Sequence, residues 1–435
     1  MPGLLLLRLG ERYEAHVVAG TARTKVIVGV LVLIALCECL LLVWVLWAER
    51  RRRLGVFAVA QVLGLGLWFA GELKLNYPTS LVRRLDDVPP FEPVPIAGDP
   101  TLARLVEWRR RPADAPPPGI GVDSLIRWQV AARQALTSAL GHDADASRAP
   151  GPVRVVADKV LPDGLRRQLI TFQGFDGTPI PAYLFLPPVQ DRVQPRPGLL
   201  VIAGHGEGIV QTAGLVRSLY HDMAPELARA GYVVLAPELR GFGYLGRYIG
   251  VDHCIVAHNA LASGSHYAAM LTRDLAHATS VLASLPGVDP TRIGAAGVSF
   301  GGTLALLHTA VDRRIAAVMA GSPAIEPFRR EGLTKSWDRR AIPETPFCHL
   351  IPGGGHEPNR LGLLYLIAPR PLLLTSGVRE DLGMLYRAAV DSVAWAYSRL
   401  GAVRPPQAVE VEGAHEFFLR PTREFFATAF ASGAR

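Results

Sequence analysis

Thr291-Arg292-Ile293-Gly294-Ala295-Ala296-Gly297-Val298-Ser299-Phe300-Gly301-Gly302-Thr303-Leu304-Ala305 is the stretch that decides the fold. An apolar run over Arg292 to Gly297 reads as a strand, and Phe300 to Val311 reads as an apolar helix. Between them, Gly297-Val298-Ser299-Phe300-Gly301-Gly302 leaves no bulk beside the serine. A strand that turns this sharply into a helix needs those glycines and presents the serine hydroxyl at its apex. Ser299 is therefore the candidate nucleophile.

Outward from this turn the chain alternates strands and helices, as a doubly wound, mostly parallel sheet with helices on both faces requires. Arg167 to Phe172 and Pro179 to Leu186 flank Gly174-Phe175-Asp176-Gly177 and predict an antiparallel hairpin. Continuous apolar runs predict buried strands at Gly198 to Ala203, Tyr232 to Ala236, Ile315 to Ala320, Pro371 to Thr375 and Ala408 to Val411. Helices are expected at Gly214 to Ala230, His266 to Leu285 and Met384 to Leu400. Ahead of the sheet, Val122 to Gly141 has helical spacing, with Asp123 or Ser124 to cap its start and Gly141 to end it. Residues 322–368 depart from the alternation and predict a helix-and-loop insertion.

A serine hydroxyl needs a histidine to take its proton and a carboxylate to orient that histidine. In this strand order the acid and then the base follow the nucleophile along the chain. Of the histidines beyond Ser299, His308 falls inside the next helix, while His349 and His356 fall in the insertion. His415, in Glu412-Gly413-Ala414-His415-Glu416, follows the last predicted strand and is the expected base. The acid belongs after Pro371 to Thr375, in Ser376-Gly377-Val378-Arg379-Glu380-Asp381, where Asp381 is the first choice and Glu380 the alternative. A tetrahedral oxyanion needs two backbone N–H donors. Phe300 supplies one, and Glu207 (or Gly206), in Gly204-His205-Gly206-Glu207-Gly208 after an earlier strand, supplies the other. Arg240 reads as a brace of its loop in preference to a contact for an anionic substrate.

The N-terminus has a different character. Val26 to Ala48 is 23 residues with a single charge, Glu38, and spans roughly 34 Å as a helix. Arg50 to Arg53 separate it from the uncharged Leu54 to Gly71. The expectation is a hairpin of two transmembrane helices, 26–48 and 54–71, with arginines at a cytoplasmic tip and everything after Gly71 extracytoplasmic. A single span with the rest of the chain in the cytoplasm is the competing topology. Residues 1–25 precede the hairpin, a proline-rich linker occupies 72–121, and 122–435 form the catalytic domain. The net charge of +8 comes from scattered arginine, which predicts the bilayer as a partner and no nucleic acid. Cys37, Cys39, Cys254 and Cys348 form neither a disulfide framework nor a metal knuckle, and no cofactor or metal is called for.

From Val122 to the C-terminus the chain resembles the acetyl xylan esterase-like branch of the dienelactone hydrolase superfamily, within the α/β-hydrolases. The likeness rests on the serine turn, Gly204-His205-Gly206, Val288-Asp289-Pro290-Thr291-Arg292-Ile293-Gly294, Cys348-His349-Leu350-Ile351-Pro352-Gly353 and Ile367-Ala368-Pro369-Arg370-Pro371-Leu372-Leu373. It implies an α/β-hydrolase fold, a triad of Ser299, an acid and His415, and hydrolysis of small-molecule or saccharide esters, often acetyl esters. Two departures stand out: the family's aspartate three residues after the loop glycine is Glu380 here, and the membrane hairpin is foreign to the family. A serine peptidase of the same fold and a membrane-tethered interaction protein without catalysis are the alternatives.

Overall fold

A computed structural model of the protein describes residues 116, 119–142, 151–188, 194–246, 250–324 and 360–431. The expected membrane helices, nearly all of the linker and most of the 322–368 insertion lie outside them. Among the described residues no helix is long and apolar enough to cross a membrane.

Helix α1 (Val122–Ala139) precedes an antiparallel set, β1 (Arg154–Val160), β2 (Arg166–Gln173) and β3 (Pro179–Leu186). Then come β4 (Arg196–Ile202), α2 (Ile209–Thr212), α3 (Met223–Arg229), β5 (Val233–Pro237), α4 (His253–Ala262) and α5 (Tyr267–Ser284). The second half runs β6 (Val288–Val298), α6 (Phe300–Val311), β7 (Ile315–Gly321), α7 (Arg360–Ile367), β8 (Leu372–Gly377), α8 (Gly383–Arg399), β9 (Gln407–Val411) and α9 (Leu419–Ala429). The strands form one sheet in the order β1-β2-β3-β5-β4-β6-β7-β8-β9, parallel from β5 to β9.

Each buried strand is apolar on both faces because helices cover both. Along β4, Leu200 and Ile202 belong to the buried cluster that includes side chains of α1, α5, α6, α7 and α8, while the alternate residues Leu199 and Val201 belong to the one that includes α3 and α9. The chain leaves β4 for β5 on one side and returns to β6 on the other. This reversal opens a crevice between the carboxyl ends of β4 and β6, where open α/β sheets bind their ligands.

Helix α1 docks onto the domain through buried Gln129, whose amide donates to Tyr365 O at 2.7 Å and Ala368 O at 2.8 Å. Its start is not capped as expected. Gly121 is the N-cap and no side chain caps the helix, whereas Gly141 (φ +64) does end it. The helix expected over Gly214 to Ala230 shrinks to α3, because Gly214 (φ +69), His221 (φ +44) and Asp222 (φ +56) turn the chain left-handed before Met223. Strand β1 and helix α4 were not expected. In β1 every residue is exposed, so no alternation of apolar and polar residues marks it.

Arg240 is a brace. Its guanidinium meets Asp274 at 2.6 Å and Asp176 at 2.7 Å and lies 4.8 Å from the Phe175 ring centroid. It thereby ties the β2–β3 turn to α5, and its hydrogen bonds hold the Asp176 carboxyl well below the usual range.

Candidate active site

Ser299 follows β6 with φ +61 and ψ −127, a conformation costly for a residue with a side chain, of a kind that clusters at functional sites. The neighbouring glycines make the turn possible. A Cβ on Gly301 would stand 2.2 Å from Ile202 O, and one on Gly297 would stand 2.3 Å from Gly301 O. Those backbones touch, so no side chain fits. Helix α6 is thus pressed onto the end of β4, and the half-buried Ser299 is held at the crevice with its N–H on Gly321 O at 2.7 Å.

Glu380 and His415 sit on the loops that follow β8 and β9, and those loops are zipped together. Arg379 N–H donates to Gly413 O at 3.0 Å, and a Cβ on Gly377 would stand 2.2 Å from Ala414 O. His415 Nδ1 lies 2.5 Å from Glu380 Oε1. The geometry therefore reverses the preference for Asp381. Val378–Glu380 form a 3-10 turn that points Glu380 inward, and Asp381 ends it in the left-handed region at φ +56, exposed. Aspartate is one of the few side chains at ease there. Burial works to raise the Glu380 pKa, but hydrogen bonds from His415, Ser322 and Gly377 N–H outweigh it and hold it below the glutamate range. A carboxylate in that state stays charged and keeps His415 oriented.

Glu416 secures the loop that carries His415: its Oε1 accepts Ala414 N–H at 2.8 Å and its Oε2 meets His221 Nε2 at 2.5 Å. His308, by contrast, is fully buried on α6, 2.9 Å from Thr279 Oγ1, and burial pushes its pKa down to about 4. His349 and His356 lie outside the described residues.

The Gly204–Gly208 loop crosses the crevice opposite α6. His205 stacks on the Phe300 ring at 4.7 Å, and burial beside His253 pushes its pKa down to about 4, so it is a neutral brace. Glu207 N–H donates to Gln211 Oε1 at 2.9 Å, so in this state that amide is engaged by a side chain of α2. Gly206 adopts φ +142.

Beneath the loop lies a group that the sequence did not flag. Glu238 is 1% exposed and accepts Tyr244 N–H at 3.0 Å, Ile209 N–H at 3.2 Å and Leu239 N–H at 3.2 Å. Gly208 and Gly243 are tight against its carboxylate. Burial raises its pKa to about 7 despite these donors. Its only sequence signal was a position next to Leu239-Arg240-Gly241. At the start of α4, Asp252, His253 and Cys254 hold three potential metal-ligand atoms within 4.8 Å of one another. Asp252 there caps Cys254 N–H at 2.7 Å, and burial pushes the thiol up to about 11.

A family model described as acetyl xylan esterase matches residues 163–336. In structure, a provisionally assigned acetyl xylan esterase from Bacteroides fragilis superimposes with a TM-score of 0.57 at 17% identity, covering 76% of this chain and 89% of that one. The domain has the α/β-hydrolase fold and resembles the acetyl xylan esterases. Among curated proteins, the α/β-hydrolase xenA of Xenoacremonium sinensis is 28% identical over 180 residues, 40% of this chain and 38% of its own length. The provisionally assigned hydrolase YtaP of Bacillus subtilis is 27% identical over 209 residues, 46% of this chain. The chain thus spans less than two thirds of either relative, 38% of one and 66% of the other.

Glu238 gives the domain a stability term with a definite sign. Its folded pKa of about 7 stands above the ordinary 4.5, so its contribution is full below pH 4.5 and is lost as pH rises through 7. Between pH 5 and 8 this amounts to about 2 to 3 kcal/mol. Urea unfolding at both pH values should show wild type losing that much more than Glu238→Gln. Equal losses in the two proteins would contradict the assignment.

Proposed function

We propose that the chain is a serine-dependent carboxylic ester hydrolase, acting on acetyl-type esters of small molecules or saccharides. The observation that carries this reading is the Glu380–His415 hydrogen bond at the same sheet edge as the strained Ser299 turn. Ser299, Glu380 and His415 follow β6, β8 and β9, the order in which nucleophile, acid and base occur in this fold. Likeness to the acetyl xylan esterase model over residues 163–336 supports the ester as the bond and acetyl as the acyl group.

In this mechanism His415 Nε2 takes the Ser299 hydroxyl proton as Oγ attacks the ester carbonyl, and Glu380 stabilises the resulting imidazolium. Phe300 N–H, at the positive end of α6, donates to the oxyanion. The second donor comes from the Gly204–Gly208 loop: Glu207 N–H after releasing Gln211 Oε1, or the adjacent Gly206 N–H. Collapse expels the alcohol, protonated by His415, and leaves an acyl-enzyme. Water, deprotonated by His415, then releases the acid and restores Ser299.

The membrane hairpin belongs to the same proposal. Helices 26–48 and 54–71 anchor the chain, 72–121 tether the catalytic domain of 122–435, and the arginine tip places that domain outside the cytoplasm.

Purified Ser299→Ala should lose at least about a thousandfold in kcat on p-nitrophenyl acetate, and retention of wild-type activity would end the proposal. Glu380→Gln should lower kcat at least about tenfold while Asp381→Asn changes it less than about twofold; the reverse ranking would reinstate Asp381. Alkaline carbonate should leave the full chain in the membrane pellet, and release to the supernatant would remove the anchor.

A further inference from the structure

The carboxylate of Glu380 is held from both sides. Oε1 faces His415, while Oε2 accepts Gly377 N–H at 2.9 Å and the Ser322 hydroxyl at 2.5 Å. The first of the two Oε2 donors is local, three residues back on the same loop. Ser322 is 58 residues away in sequence, at the end of β7, between the strand of the nucleophile and the strand of the acid.

Ser322 is itself fixed. It is buried at 6% exposure, its N–H donates to Thr375 O at 2.8 Å, and its backbone is left-handed at φ +44. Serine has no intrinsic preference for that region, and a strained, buried, non-glycine residue beside a reactive group points to a side-chain role. The preceding residue, Gly321, accepts Ser299 N–H. A continuous path thus runs from the Ser299 backbone through Gly321 and Ser322 to Glu380 and His415. A glutamate has one more rotatable bond than an aspartate, so its carboxylate wanders further unless a second element holds it. Ser322 supplies that hold.

Resting on the ester hydrolase reading above, we propose that Ser322 is a positioning residue. Its hydroxyl fixes the Glu380 carboxylate in the orientation that receives His415 and couples the acid to the strand end beside the nucleophile. Ser322 touches no reacting atom in this role. Loss of a hydrogen bond to a charged group then appears in kcat and leaves KM nearly unchanged.

The full chain, purified in detergent, is assayed on p-nitrophenyl acetate as wild type, Ser322→Ala, Ser322→Gly and Ser299→Ala. Glycine accepts φ +44 without strain, so Ser322→Gly keeps the turn while removing the hydroxymethyl group, and Ser322→Ala removes the hydroxyl alone. Both Ser322 variants should lose roughly 10- to 100-fold in kcat with KM changed less than about twofold. In a Glu380→Gln background, Ser322→Gly should cost less than about twofold further, because the carboxylate it orients is gone. Wild-type kcat in Ser322→Gly, in an enzyme that Ser299→Ala abolishes, would overturn the Ser322 role and leave the esterase reading standing. An undiminished loss in the Glu380→Gln background would overturn it too. Activity surviving Ser299→Ala would instead remove the esterase reading on which the proposal rests.

Discussion

The close backbone approach of Gly301 to the end of β4 is the constraint on which the site depends. With no room for a Cβ between Gly301 and Ile202 O, the first turn of α6 packs directly on the central parallel strand. That proximity, with Gly297 close against Gly301 and Ser299 N–H on Gly321 O, accompanies the positive-φ turn at Ser299. The same contact sets Phe300 against His205, so the loop after β4 and the helix after β6 face each other across the reversal in strand order. A bulkier residue at 301 would part these two walls.

Around that turn, buried polar groups are arranged in opposite electrostatic senses. Glu380 is held ionised by three donors, in spite of burial. Glu238, with three backbone donors of its own, is pushed toward neutrality because it lies deeper. His205 is neutral for the same reason. Desolvation disfavours charge wherever no counter-charge or sufficient set of donors compensates. Glu380 is charged where it faces His415, while burial drives Glu238 and His205, under and on the Gly204–Gly208 loop, toward neutrality.

Much of this was legible in the sequence. The Ser299 turn, the strands on either side of it and the position of His415 follow from glycine spacing and apolar runs, which act locally. The choice between Glu380 and Asp381 was not legible, since it depends on a 3-10 turn that sends adjacent side chains in opposite directions. Ser322, Glu238 and Gln211 were invisible for a related reason: each acts through contacts with segments distant in sequence or on a loop whose path the pattern does not give. Strand β1 was missed because its exposed edge carries no alternation, and the Gly214 to Ala230 helix was overextended across three left-handed residues. The apolar N-terminal segments, the clearest signal of all by composition, lie outside the described residues.

A fluorophosphonate probe tests most directly whether the strained serine is the nucleophile. Incubated with the full chain and followed by peptide mass spectrometry, it should leave one adduct, on Ser299, at a rate that His415→Ala greatly reduces. An unlabelled Ser299, or an adduct on another serine formed just as fast without His415, would contradict the assignment.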